Sequence, residues 1–208
     1  TPQTDYGVPA VWPALTAAAN RYSNCVRSDA LAFWTLAAAK SGDVESLRLG
    51  LAAQMRSAAL FGGAVPYTDA STGEALVDSL SPSQRINGAA ARLATTFRVF
   101  AGMRFTEEGI LFKPVVPAEY HEEKFISGFR YRDAELSIVV HGTGDRIARF
   151  AIDGKLTDSY LFPADMTGRH NIEITLASNE MTRRSIDFES DAPVTPDIPT
   201  LEGSQSGL

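Results

Sequence analysis

The hydrophobic repeat of this chain changes near residue 105 from a helical period to strict alternation, and that change limits the folds open to it. Ahead of the switch, the spacing predicts three helices. The first runs from about Ser28 to Lys40, with Ser28 or Asp29 as N-cap and Gly42 as stop. Its residues Leu31, Ala32, Phe33, Trp34, Leu36 and Ala37 to Ala39 are apolar nearly all round, which predicts burial on several sides. The second starts at Asp43 and reaches about Phe61, with Val44, Leu47, Leu51, Met55 and Ala58 as its apolar stripe. The third opens with Ser81-Pro82-Ser83-Gln84, a capping box with proline at the first helical position. Ile86, Ala89, Ala90, Leu93, Phe97 and Phe100 form its expected buried stripe, and Gly102 closes it. Gly7 to Pro13 reads as extended, because two prolines remove donors, and Leu15 to Asn20 reads as a short helical turn. Residues 62–81 read as one long loop, a length that signals function or mobility.

After the switch, short alternating runs predict strands over Ile110–Val116, Phe125–Tyr131, Leu136–Val140, Arg146–Ile152, Lys155–Phe162, Ile172–Leu176 and Arg183–Phe188. Gly142 to Asp145 and Asp153-Gly154 read as hairpin turns, the second with type I′ chemistry. The expected organisation is a helical unit over 6–105, an antiparallel β unit over 106–190 and a disordered tail over 191–208, where prolines and glycines sit among polar residues.

Composition removes several functions. Lys and Arg number 19 against 25 Asp and Glu, a formal charge of −6, where a phosphate-tracking nucleic-acid binder carries a basic surplus. No apolar run reaches the ~18–20 residues of a membrane span. Cys25 is the single cysteine, so neither an intrachain disulfide nor a Cys-based zinc site is available. Glu119-Tyr120-His121-Glu122-Glu123 holds metal-type ligands on a connector without fixed geometry and is not read as a metal site. His141 and His170 sit beside turns and read as exposed, and Cys25 reads as a small buried residue. No cofactor is expected.

Several short motifs carry a resemblance by their order: Tyr22-Ser23-Asn24, Ala32-Phe33-Trp34-Thr35-Leu36, Ala58-Ala59-Leu60-Phe61, Thr72-Gly73, Phe97-Arg98-Val99-Phe100-Ala101-Gly102-Met103, Gly128-Phe129-Arg130-Tyr131-Arg132 and Phe162-Pro163-Ala164-Asp165. Together they resemble the C-terminal portion of the six-hairpin (α/α)6-toroid glycoside hydrolases, of the bacterial trehalase-like or glycogen-debranching-like kind. The resemblance covers roughly residues 6–178. It implies an α+β chain in which the C-terminal helices of an (α/α)6 toroid precede a small antiparallel β-sandwich. It also implies part of an inverting glycoside hydrolase acting on oligo- or polysaccharides, and a periplasmic or extracellular location. Such enzymes place an acid and a base ~6.5–9.5 Å apart across the sugar.

The pattern also departs from that family. Its base is a Glu ahead of Thr-Gly; here Asp69 is the carboxylate before Thr72-Gly73, and Glu74 follows. Asp69 and Glu74 are therefore the catalytic candidates, with the general acid expected upstream of Thr1. Tyr-His-Asn becomes Tyr22-Ser23-Asn24, and Trp-Pro-aromatic becomes Arg27-Ser28-Asp29. Tyr22, Asn24, Arg27, Asp29 and Tyr67 are the substrate-binding candidates the resemblance implies. All but Tyr67 also have a plainer reading: Tyr22 and Asn24 as loop residues, Asp29 as an N-cap, Asp69 as a turn residue, Glu74 and Arg27 as solvated charges. The alternative function is a carbohydrate-binding or structural module without catalysis. Three helices cannot close such a ring, so an exposed apolar helical face is expected, covered by the rest of the toroid or by a homo-oligomer. With neither initiator Met nor signal segment at Thr1, the chain is expected to be processed or part of a longer protein.

Overall fold

The computed structural model describes residues 3–11, 24–61, 65–76 and 82–181. Strand β1 (Cys25–Arg27) leads directly into helix α1 (Ser28–Ser41). Arg27 occupies the N-cap position with no side-chain cap, so neither Ser28 nor Asp29 caps the helix. Asp29 lies instead in the first turn, where a carboxylate complements the helix dipole. Gly42, at φ 69°, ends α1 in the left-handed region, and its N–H donates to the Ala38 carbonyl.

Helix α2 (Val44–Phe61) packs on α1. The two backbones approach closely at Gly50, where a Cβ would lie 2.4 Å from Thr35 Oγ1. Thr35 Oγ1 donates to the Leu31 carbonyl at 2.7 Å and accepts from Gln54 Nε2 at 2.9 Å, so this polar contact is satisfied although buried. Strand β2 (Tyr67–Asp69) lies within the stretch read from sequence as a loop. Helix α3 (Pro82–Thr95) packs on α1 and runs into a π-helical segment, Thr96–Phe100. The helix ends at Phe100, which leaves the Val99 carbonyl without an intrahelical partner, and it accepts the Val115 N–H at 2.8 Å.

The strands that follow are β3 (Met103–Phe105), β4 (Gly109–Phe112), β5 (Lys124–Tyr131), β6 (Ala134–His141), β7 (Ile147–Ile152), β8 (Lys155–Leu156), β9 (Leu161–Pro163) and β10 (Gly168–Leu176). They form a five-stranded sheet in the order β5-β6-β10-β7-β8 and a three-stranded sheet in the order β3-β4-β9. The first sheet is mixed: β10 runs parallel to β6 and antiparallel to β7. This corrects the expectation of a purely antiparallel unit. Gly142 to Asp145 is a corner and not a hairpin turn, because β10 inserts between β6 and β7 and Gly144 pairs with Val116. Asp153 and Gly154 both have positive φ, 51° and 76°, and close the β7–β8 hairpin as type I′ chemistry requires. The strand expected over Ile110–Val116 stops at Phe112, ahead of Pro114. The run Lys155–Phe162 breaks into β8 and β9, which belong to different sheets.

Alternation buries one face of each central strand. Ile138 and Val140 of β6 stand opposite Ile172 and Ile174 of β10, and these four are sealed from solvent together with Leu136. Opposite them lie Ile110 and Phe112 of β4 and Phe162 of β9. Ala38 of α1, Leu47 and Leu51 of α2 and Val99 belong to the same core cluster. Helix α1 packs between α2 and α3, and the helical part meets the sheets through Ala38, Leu47, Leu51 and Val99. Among the described residues, three helices and strands in three sheets form a mixed α+β fold, and the toroid of helical hairpins implied by the resemblance is incorrect. The exposed apolar helical face that was expected is present, with Phe33, Ile86 and Leu93 73%, 66% and 56% exposed. The expected stripe of the third helix holds at its end, where Phe100 is buried and Phe97 packs on the core, and fails ahead of it. Ala91 and Thr95 face inward, while Ile86, Ala89, Ala90 and Leu93 face outward. Leu15–Asn20, Tyr22, Ser81, the Arg183–Phe188 strand and the tail over 191–208 lie outside the described residues.

Candidate functional site

Most candidate residues fall in two short segments, 24–29 and 67–74, far apart in sequence. A two-stranded ribbon joins them. Strands β1 and β2 pair antiparallel, with Cys25 opposite Asp69, Val26 opposite Thr68 and Arg27 opposite Tyr67. The Ala70 N–H donates to the Asn24 carbonyl at 2.9 Å and the Ser28 N–H to the Pro66 carbonyl at 3.0 Å, extending the ladder at both ends. Val26 and Ala70 are buried with Leu31 and Ala53 in a small second core that anchors the ribbon to the helices. Thr4 Oγ1 adds a 2.6 Å hydrogen bond to the Ala70 carbonyl.

Arg27 and Asp29 form a two-pronged ion pair, Nε to Oδ1 at 3.1 Å and Nη2 to Oδ2 at 2.7 Å. The Ala30 N–H also donates to Asp29 Oδ1 at 2.9 Å. Partial burial pushes the Asp29 carboxyl up, but the hydrogen bonds from Arg27 and Ala30 outweigh it and hold the group below the usual carboxylate range. The same hydrogen bond, with the Asp29 charge, raises Arg27. Asp29 is therefore a fixed anion and a hydrogen-bond acceptor, and is unsuited to donating a proton near neutrality. Arg27, Ser28, Asp29, Pro66 and Tyr67 border a notch of about 20 Å³, closed on its far side by Asn87 and Gly88 of α3. That volume holds about one water molecule, so a sugar ring meets only its rim.

Asp69 and Glu74 share one tight turn. Asp69 Oδ1 accepts the N–H groups of Ser71 and Thr72 at 2.7 and 2.9 Å, which makes it an Asx-turn acceptor. The Asp69 N–H donates to the Glu74 carbonyl at 2.8 Å, and the Gly73 N–H to the Asp69 carbonyl at 2.8 Å. The Glu74 side chain is exposed. Asn24 Nδ2 donates to Ser71 Oγ at 2.8 Å and clips the same turn to the start of β1. The structure thus gathers Asn24, Arg27, Asp29, Tyr67, Asp69 and Glu74 on one ribbon, while Tyr22 lies outside the described residues.

Sequence reasoning missed two polar features. Asn87 joins the notch from a helix face on which only the apolar stripe carried a signal. His170 is largely covered, its side chain 13% exposed, and not free at a turn. Its Nδ1 lies 2.7 Å from Asp153 Oδ2 and its Nε2 3.0 Å from the Thr167 carbonyl. The Asp153 hydrogen bond raises His170 above the ordinary histidine value and lowers Asp153. The signal was the Asp153-Gly154 turn itself, which projects a carboxylate toward β10, where Asn171 N–H donates to Asp153 Oδ1 at 2.8 Å. Cys25 is buried, and burial pushes its thiol up, so it is a packing residue and a poor nucleophile. Among the described residues, no group of three or more His, Cys, Asp or Glu side chains is placed to hold a metal, and no helix is long and apolar enough to cross a membrane. No protein-family model matches the chain, and no curated protein matches it.

Proposed function

We propose that this chain is a carbohydrate-binding element that contacts a sugar without cleaving it. The observation that carries the reading is the register of the β1–β2 ribbon, which sets Tyr67 opposite Arg27 and beside the Arg27–Asp29 pair, with Asn87 across the notch. Sugar recognition needs donors and acceptors held in place before binding, next to an apolar ring face, because each immobilised polar group lowers the entropy lost on association. The ordered motifs that resemble those of glycoside-acting enzymes support a saccharide over other polar ligands, and a periplasmic or extracellular setting.

Two points favour binding over hydrolysis. Water activation needs a carboxylate aimed into a closed cleft. Asp69 instead spends one oxygen on its own turn, and Glu74 points its side chain into solvent. The test is calorimetry of the chain against an oligosaccharide panel, run beside a turnover assay on p-nitrophenyl glycosides and the same oligosaccharides. Heat of binding without product is expected, with Tyr67→Ala and Arg27→Ala each weakening binding about tenfold. Turnover that disappears in Asp69→Asn or Glu74→Gln would replace this reading with glycosidic-bond hydrolysis. No heat with any saccharide would remove the carbohydrate assignment altogether.

A further inference from the structure

Five cations that lie far apart in sequence line one cleft between α1 and the two sheets. Two adjoining cavities, of about 270 and 390 Å³, share Ala39, Lys40, Arg104, Lys113 and Val115 as walls. Arg98 completes the smaller one and Arg146 the larger. Among the described lining residues Asp145 is the one carboxylate, and it already accepts a 2.8 Å hydrogen bond from Asn179 Nδ2. None of Lys40, Arg98, Arg104, Lys113 and Arg146 has an ion-pair partner among the described residues. Such a cluster is unexpected in a chain whose 25 acidic residues outnumber its 19 basic ones. Like charges gathered without counter-charges repel one another, and a cleft with low-dielectric walls concentrates their field.

Local structure explains how the cluster forms. Met103 and Phe112 are opposed in the β3–β4 pairing and both are fully buried. Alternation then turns the next residue of each, Arg104 and Lys113, to the opposite face, where they are diagonal neighbours. Lys40 stands in the last turn of α1, where a cation suits the helix dipole, so its charge has a structural reason of its own. Arg98 likewise stands in the last turn of the π-helical segment, whereas Arg104, Lys113 and Arg146 sit at no helix end. Two irregularities also meet here. Arg98 sits in the π-helical segment, and Tyr160, which lines the larger cavity, has a φ of 50°, unusual for a residue other than glycine. Both kinds of distortion gather at functional sites.

We infer that this cleft binds a small ligand carrying a phosphoryl group, its oxygens taken by Arg98, Arg104, Lys113 and Arg146 and its apolar part set against Val115 and Tyr160. Guanidinium forks match the paired oxygens of phosphate, and several cations against one engaged carboxylate suit a ligand with two or more negative charges. The cleft shares no lining residue with the ribbon notch, so the inference stands apart from the carbohydrate reading.

The test titrates the full chain with three probes, a hexose monophosphate, inorganic pyrophosphate and the uncharged hexose, at about 0.15 M salt, where surface attraction beyond the cleft is screened. The hexose monophosphate is expected to bind in the micromolar to low millimolar range, more tightly than the free hexose by at least about tenfold. Arg104→Gln combined with Lys113→Gln is expected to weaken it about tenfold or more. Arg130→Gln combined with Arg149→Gln, which removes the same charge from exposed strand positions away from the cleft, is expected to leave it unchanged. Retained circular dichroism and melting temperature in both double variants will show that folding is intact. Pyrophosphate binding with equal dependence on Arg104 and Lys113 supports the cleft and assigns it to the inorganic anion. Absence of binding by either anion, or equal weakening in the two double variants, overturns the proposal.

Discussion

Replacing Gly50 by alanine sets two effects of opposite sign against each other. In an isolated helix the change stabilises by about 1 kcal/mol, since glycine is the poorer helix former. In this protein the new Cβ falls 2.4 Å from Thr35 Oγ1 and 3.3 Å from Thr35 Cβ. Thr35 cannot turn aside cheaply. Its hydroxyl donates to the Leu31 carbonyl and accepts from Gln54, and Gln54 is only 7% exposed. Rotation gives up one hydrogen bond worth about 1 kcal/mol and strands a buried amide donor at about 1–3 kcal/mol. Separating the helices instead thins the packing around Leu47 and Leu51, at similar cost. Net destabilisation of about 1–3 kcal/mol is therefore expected, with the contact outweighing the propensity gain. Thr35→Ala alone should also destabilise, because it removes the acceptor for Gln54. In the double variant the methyl group introduced at position 50 occupies the space Thr35 vacates, so the pair should couple favourably by about 1–2 kcal/mol. Urea unfolding followed by circular dichroism and tryptophan fluorescence measures all four corners of the cycle. A more stable Gly50→Ala protein, or additivity within about 0.5 kcal/mol, would refute the close-approach argument.

Three further outcomes follow from the geometry. The His170–Asp153 contact should make stability depend on pH from both sides. The raised His170 contributes fully below its unfolded value of about 6.5 and loses that contribution as pH rises through its folded value, whereas the lowered Asp153 contributes above about 3.9 and fades as pH falls through its folded value. His170→Gln should therefore cost most between those limits, about 1 kcal/mol after allowance for the solvent around Asp153, and least in alkali, as denaturation at stepped pH will reveal. Gly102→Ala should be among the most damaging single changes, because φ is +67° and a Cβ would lie 2.0 Å from the Lys113 carbonyl carbon; a loss of about 3 kcal/mol or more in urea titration is expected, and an unaltered midpoint would contradict the backbone contact. Ile86→Ser and Leu93→Ser should each change stability by no more than about 0.5 kcal/mol, since both side chains face outward, whereas a loss of core size would mean that α3 packs as its stripe suggests.

Local signals were legible wherever one residue or one short spacing decides the geometry. Gly42 marked the end of α1, Asp153-Gly154 marked a hairpin, and the alternation through Leu136 to Val140 marked a strand with one buried face. The α3 stripe misled, because periodicity shows that a helix has an apolar side but says nothing about which neighbour covers it. Ile86 and Leu93 lie on that side and remain exposed. The resemblance misled about architecture for a related reason: a stave of a ring and a helix docked on a sheet share the same 3.6-residue repeat.

The site shows the same division. Asp69 as a turn acceptor follows from Asp-Ala-Ser-Thr-Gly chemistry, and the burial of Cys25 from its type. Nothing local indicated that Arg27 would face Tyr67, or that Lys40, Arg98, Arg104, Lys113 and Arg146 would line one cleft. The strands, turns and helix ends were decided by the chain itself, since dihedral preference and side-chain period act over a few residues. The insertion of β10 between β6 and β7, the ribbon that gathers the candidate residues and the grouping of cations in one cleft were decided only on folding, when distant segments competed to cover the same apolar surface.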